Sequence, residues 1–280
     1  MVRFGPSGND ELFYAQGYKA TVQAPAWIAP MGLTAFEISF GRGTKMTVET
    51  ARAIGAAAKA HNIQLSIHAP YYINLANDSF DNNYRWLAQS LVLAREMGAP
   101  RVIFHAASQG QLDRTEALER TKDNLYKVLK RLDAEGISDF QLCPEVMGLY
   151  REIGNVEEVC ELCKIDPRLV PCVDFGHINC LLQGELKTNS DKIAEMLDYI
   201  ESQVGREKLD RLHIHWSAQE FGPKGEIRHT RLNDDKWAFP FDPLAREIRR
   251  RGLKNVVIIC ESASIMAQDA VKLLGIYNAT

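Results

Sequence analysis

The chain has 280 residues, of which 46% are hydrophobic, 25% charged and 9% aromatic. Those proportions exclude a disordered or fibrous protein and leave ample apolar surface for a large core. A formal net charge of −3 argues against attachment to nucleic acid by bulk charge, while leaving room for a local basic rim. No apolar run approaches the ~18–20 residues of a membrane span, and Met1–Pro6 lacks the apolar core of a signal peptide. A cytoplasmic protein without a membrane partner is expected.

Taken in chain order, Arg3–Gly5 is a candidate first strand and Phe36–Phe40 a second. An Ala-rich helix follows at Thr47–His61, with Glu49 in its first turn, and then the apolar run Ile63–Ile67. The helix Asn82–Met97 stops at Gly98, and Arg101–Phe104 is again strand-like. Asp113–Glu135 sets Leu118, Leu125, Leu129 and Leu132 on one stripe and ends at Gly136, a residue type that tolerates the left-handed C-terminal turn. The alternation continues with strands at Phe140–Cys143, Leu169–Val173, Leu209–Leu212 and Val256–Cys260. Helices are expected at Asn155–Lys164, Ser190–Val204, Pro243–Arg251 and Met266–Leu274. Strand alternating with helix about eight times, with no linker or composition break, predicts an α/β protein. Its form should be a single (β/α)8 TIM barrel spanning residues 1–280, with the active site at the C-terminal ends of the strands. A doubly wound sheet would normally carry a Gly-rich phosphate loop, which Gly5-Pro6-Ser7-Gly8 does not provide. The long non-periodic stretch Trp216–Pro240 is expected to be a functional loop.

Six cysteines are too few for a disulfide scaffold. Cys160 and Cys163 form a C-x-x-C, but it lies in a helical stretch with no second pair at zinc-ribbon spacing. All six read as small core residues.

The strand ends carry the chemistry. Six successive runs terminate in His68, His105, Glu145, Asp174, His213 and Glu261. Three imidazoles and three carboxylates at one barrel mouth would form a ligand set for more than one metal ion. Nitrogen-rich mixed ligation suits Zn²⁺, whereas Mg²⁺ prefers oxygen. Without cations, three buried carboxylates would be left uncompensated.

Several segments resemble the endonuclease IV family of apurinic/apyrimidinic (AP) endonucleases. They are Ser66-Ile67-His68-Ala69-Pro70-Tyr71-Tyr72-Ile73-Asn74-Leu75, Val102-Ile103-Phe104-His105, Pro144-Glu145, Val173-Asp174-Phe175-Gly176-His177 and Ile259-Cys260-Glu261-Ser262. They occur in family order, and Ile38-Ser39-Phe40-Gly41-Arg42-Gly43 resembles its shorter, archaeal-type branch. The resemblance implies two zinc ions and a place for a third. His68, His105 and Glu145 would hold the first, and Glu145, Asp174, His213 and Glu261 the second, with Glu145 bridging. His177 and His229 would hold the third with an aspartate two residues before the last histidine. That aspartate is replaced here by Ile227, and Glu226 is the nearest carboxylate, one position out of register. Family members also carry Asn where this chain has His215.

The activity implied is hydrolysis of the phosphodiester 5′ to an abasic site in duplex DNA, by a monomer in which Glu145 and Glu261 are the catalytic carboxylates. Tyr71 and Tyr72 are candidates to pack against the abasic sugar, and Arg42 and Lys45 to grip the groove or phosphate. The competing reading is a xylose isomerase-like sugar isomerase or epimerase with a divalent metal. Glu145, Asp174, His213 and Glu261 alone would serve that function, whereas the His68–His105 pair favours the nuclease.

Overall fold

A computed structural model describes residues 1–41 and 43–280, and in it the apolar runs become eight parallel barrel strands. They are β1 (Arg3–Pro6), β2 (Ala35–Ser39), β3 (Gln64–His68), β4 (Arg101–Phe104), β5 (Gln141–Pro144), β6 (Cys172–Asp174), β7 (His213–Trp216) and β8 (Val257–Cys260). The ladders run β1-β8-β7-β6 and β2-β3-β4-β5. Parallel bridges from Ser7 to Glu37 and from Glu145 to Cys172 close the ring. Gly5 makes the first closure: a Cβ there would lie 1.7 Å from the Ala35 carbonyl oxygen, so only glycine lets β1 approach β2.

Strand periodicity sorts each side chain to one of two environments. Phe36, Ile67, Val102, Phe104, Leu142, Val173, Ile214 and Ile258 point outward and join the helix-covered core. Inside the barrel, Ala35, Val257 and Ile259 form one apolar cluster, and Ile103, Cys143, Val170 and Cys172 another. Arg101 closes the floor by donating to the carbonyls of Leu212 (3.1 Å) and Asn255 (2.8 Å). The helices bury their apolar stripes on the outside. In Arg114–Ala134, which Asp113 caps, these are Leu125, Val128, Leu129 and Leu132. Each such leucine contributes about 1.5–3 kcal/mol of transfer free energy.

Most expected element ends lie within a few residues of those observed. The seventh strand is a correction: it covers His213–Trp216, and Leu209 belongs to a short helix, Arg206–Leu209. Both segments are apolar enough for a strand, and the strand forms where the chain pairs with Cys172–Asp174 and Val257–Cys260. The stretch Trp216–Pro240 is also more ordered than expected, because it contains an antiparallel hairpin of Gln219–Gly222 with Gly225–His229. Cys160 and Cys163 are buried in the helix Val156–Cys163, and all six cysteines are free and buried. No helix among the described residues is long and apolar enough to cross a membrane.

Candidate metal centre

The lumen-facing residues at the top of the barrel converge on Glu145. Its Oε2 lies 2.9 Å from His68 Nε2 and 3.1 Å from His105 Nε2. Its Oε1 lies 2.8 Å from His215 Nδ1, which also faces Glu261 Oε2 at 3.4 Å and Asp174 Oδ2 at 4.0 Å. Two ligand groups therefore share one carboxylate: His68–His105–Glu145 and Glu145–Asp174–His215–Glu261.

His213 is not in the second group, contrary to the expectation. In the parallel ladder Cys172 is level with His213 and Asp174 with His215. Both histidines point inward, but His213 sits one layer deeper, where its Nε2 meets Glu37 Oε2 at 2.9 Å. The place in that group belongs to His215, at the level of Asp174.

A third group forms from His177, Glu226 and His229, with His177 Nε2 3.2 Å and His229 Nε2 3.4 Å from the Glu226 carboxylate. Glu226 and His229 are three residues apart, a spacing that puts side chains on opposite faces of a regular strand. In the hairpin, Glu226 pairs with Phe221 and Arg228 with Glu220, so Ile227 has no partner. This β-bulge restores Glu226 and His229 to one face and turns Ile227 out to solvent at 61% exposure. The missing aspartate is thus replaced by the preceding glutamate. Gly148 leaves space for the arrangement, since a Cβ there would lie 2.7 Å from the His177 ring and 3.1 Å from Glu226 Cβ.

Partners behind the rings orient the donors. Nδ1 of His68 contacts the Ala69 carbonyl (2.9 Å), that of His177 the Val146 carbonyl (2.8 Å) and that of His229 the Glu261 carbonyl (2.9 Å). A carbonyl only accepts, so each Nδ1 carries a proton and each Nε2 is turned to the site. Asp174 Oδ1 accepts from the His177 backbone N–H at 2.8 Å and caps the helix Phe175–Leu181, while Oδ2 is buried without a hydrogen-bond partner.

The electrostatics match a cation site. Burial opposes charge on His68, but contact with Glu145 outweighs it and holds the pKa at about 9. Burial likewise opposes ionisation of Glu145, yet His215 and the contacts from His105, His215 and His68 keep its carboxyl well below the usual range. Asp174 is raised, by burial first and by Glu261 and Glu145 next. Four carboxylates, from Glu145, Asp174, Glu226 and Glu261, meet only histidines as ion-pair partners among the described residues. With the orphaned Asp174 oxygen, this donor set fits divalent cations of the nitrogen-accepting kind.

The groups open into a cavity of about 260 Å³ lined by His68, His105, Glu145, His177, Glu226, His229 and Glu261, together with Tyr71, Met147 and Glu152. Tyr71 is 57% exposed and stacks on His105 with ring centroids 5.5 Å apart. Tyr72 is exposed and tilts over Trp86 instead, and Lys45 is exposed. Arg42 lies outside the described residues. Trp216 is buried against Phe239, and Phe221 packs on Trp237, so these loop aromatics are structural. Sequence reasoning missed Glu37 and Glu152, and it noted His215 only as a departure from the family's Asn. Glu37 had a signal: a lone carboxylate at an inward position of the apolar run Ala35–Phe40.

Fold and site define the class: a parallel (β/α)8 barrel whose mouth gathers imidazoles and carboxylates suited to divalent cations. A model for the xylose isomerase-like TIM barrel family matches residues 25–274, and the chain belongs to that family. An uncharacterised protein of Methanocaldococcus jannaschii is 29% identical over 251 residues, which make up 89% of this chain and 88% of that one. A probable endonuclease 4 of Mycoplasmoides gallisepticum is 24% identical over 70% of this chain, and the match spans 63% of that relative's length. Endonuclease IV from Thermus thermophilus has the same fold, with a TM-score of 0.70 at 23% identity, covering 99% of this chain and 98% of that one. The resemblance to endonuclease IV carried by the strand-end motifs agrees with these relatives.

Proposed function

We propose that the protein is a zinc-dependent AP endonuclease that cleaves the phosphodiester 5′ to abasic sites in duplex DNA and leaves a 3′-hydroxyl and a 5′-deoxyribose phosphate. The observation that carries this reading is the sharing of Glu145 between two ligand groups, with a third group alongside. When bound, zinc ions would lower the pKa of water and neutralise charge on the phosphoryl oxygens.

The chain's own residues supply the rest. Glu145 and Glu261 are the catalytic carboxylates, holding the reacting centre together with Asp174, His68, His105 and His215. His177, Glu226 and His229 form the adjoining group in the same cavity and would serve the charge that develops on the departing 3′-oxygen. Water forms the new bond to phosphorus, the bond to the 3′-oxygen breaks, and that oxygen ends protonated. The lining residues sit within a cavity of about 260 Å³, which suits an abasic nucleotide turned out of the duplex. Tyr71, exposed and braced on His105, offers a ring for the bare sugar. The reading takes residues 1–280 as one barrel domain, a cytoplasmic monomer.

A sugar isomerase or epimerase needs only one or two ions on mainly carboxylate ligands, and Glu145, Asp174, His215 and Glu261 would meet that need. The added five-residue set of His68, His105, His177, Glu226 and His229 favours the nuclease. The test is a duplex bearing one abasic analogue, incubated with and without chelator. Chelator-sensitive nicking on the 5′ side, with an end that a polymerase extends directly, is expected. A 3′-blocked end, or turnover of free ketoses alone, would contradict the reading.

A further inference from the structure

Glu37 is fully buried inside the barrel on β2, one layer below the metal centre. Its Oε2 accepts a hydrogen bond from Ser66 Oγ at 2.8 Å and lies 2.9 Å from His213 Nε2. Its Oε1 lies 3.0 Å from His215 Nε2. The two imidazole contacts have hydrogen-bond length but lie off the ideal line.

His215 is oriented differently from His68, His177 and His229. Those three put Nδ1 on a backbone carbonyl and turn Nε2 to the site. His215 turns Nδ1 to Glu145, Asp174 and Glu261, so its Nε2 points down into the lumen. The side chain that meets this second ring nitrogen is Glu37, whose Oε1 lies 3.0 Å away.

We infer that Glu37 is a positioning residue: it takes the Nε2–H of His215, fixes that tautomer, and so commits Nδ1 to the second metal group. His213 and Ser66 serve Glu37 as donors, which explains a buried histidine that misses the ligand set. A carboxylate behind a ligand imidazole also raises the ring's basicity, and losing such a partner typically costs about 10–100-fold in metal affinity. The inference rests on the metal-binding part of the proposed function and is independent of the substrate.

The test begins with wild-type protein loaded with zinc and labelled with ¹⁵N-histidine. Expected is a His215 signal with Nε2 protonated and Nδ1 bound to metal. A His215 ligated through Nε2 would overturn the inference, whereas a wild type that binds no zinc would overturn the reading beneath it. Glu37→Gln, compared in a chelator competition, should weaken the Glu145–Asp174–His215–Glu261 ion by about 10–100-fold and leave the His177–Glu226–His229 ion unchanged. Equal loss at both groups would point to general damage to the barrel and contradict the inference. Cobalt substitution adds a further check, because Cys172, His213 and His215 also lie close enough to share an ion. A thiolate-to-cobalt charge-transfer band would assign His215 to that deeper group and refute the role of Glu37.

Discussion

Glu145 is the residue on which two ligand groups depend, and it is 1% exposed, with each oxygen turned to different imidazoles. Glu145→Gln keeps the shape and removes the charge between two cations. It should lower turnover by more than the 10–100-fold typical of losing an outer partner, that is, by more than about 10²-fold. Steady-state incision assays, with circular dichroism to verify folding, provide the check. His61→Ala is the control: His61 is exposed at a helix end, and activity should stay at the wild-type level. His68 sets a pH dependence. Its pKa in the metal-free fold, about 9, lies above the free value of about 6.5, so its contribution to stability is complete below about pH 6.5 and lost as pH rises through about 9. Zinc competes with that proton, so affinity at the His68 group should rise over the same interval. Chelator competition across the interval measures this, and a flat profile would contradict the assignment of His68.

At the scale of elements, the bulge in the Gly225–His229 strand decides which side chain completes the third group. Exchanging the two residues, Glu226→Ile with Ile227→Glu, restores a carboxylate two positions before His229. With the bulge retained, that carboxylate faces solvent, so the third ion should be lost and turnover should fall by about 10²-fold or more. Deleting Ile227 is expected to do the opposite. The strand becomes regular, Glu226 and residue 229 stay on one face two positions apart, and metal content is preserved. Metal analysis of both variants distinguishes them. The same strand geometry shows what the sequence leaves hidden. Five of the six candidate ligands at strand ends, His68, His105, Glu145, Asp174 and Glu261, were legible because short apolar runs stop at polar residues, but a run of Leu209–Leu212 followed by His213 offers two strand positions four residues apart. Only pairing with β6 and β8 chooses between them, and that choice moves the ligand from His213 to His215. A bulge likewise depends on its partner strand, so the role of Glu226 could be suspected from sequence but not assigned.

For the whole molecule, the barrel spends much of its lumen on charge. Glu37, His213, His215, Asp174 and Glu145 are all nearly inaccessible, and Asp174 Oδ2 and His213 Nδ1 lack hydrogen-bond partners. Such an interior is costly unless cations complete it. Ligands that bind only the folded state stabilise it by about 4 kcal/mol at a thousandfold excess over Kd, so removing zinc should lower the melting temperature by about 10 °C. Calorimetry with and without chelator checks this. The barrel itself was readable from alternating elements, whereas the partners of Glu37 were not: they come from β3 and β7, far apart in sequence. The most direct measurement is anomalous diffraction at the zinc edge from crystals grown without chelator. Three zinc peaks per chain are expected, two of them about 3.5–4 Å apart across Glu145, with His215 and not His213 on the second and Glu226 on the third. A single peak, or a zinc held by His213, would contradict a metal centre bridged by Glu145.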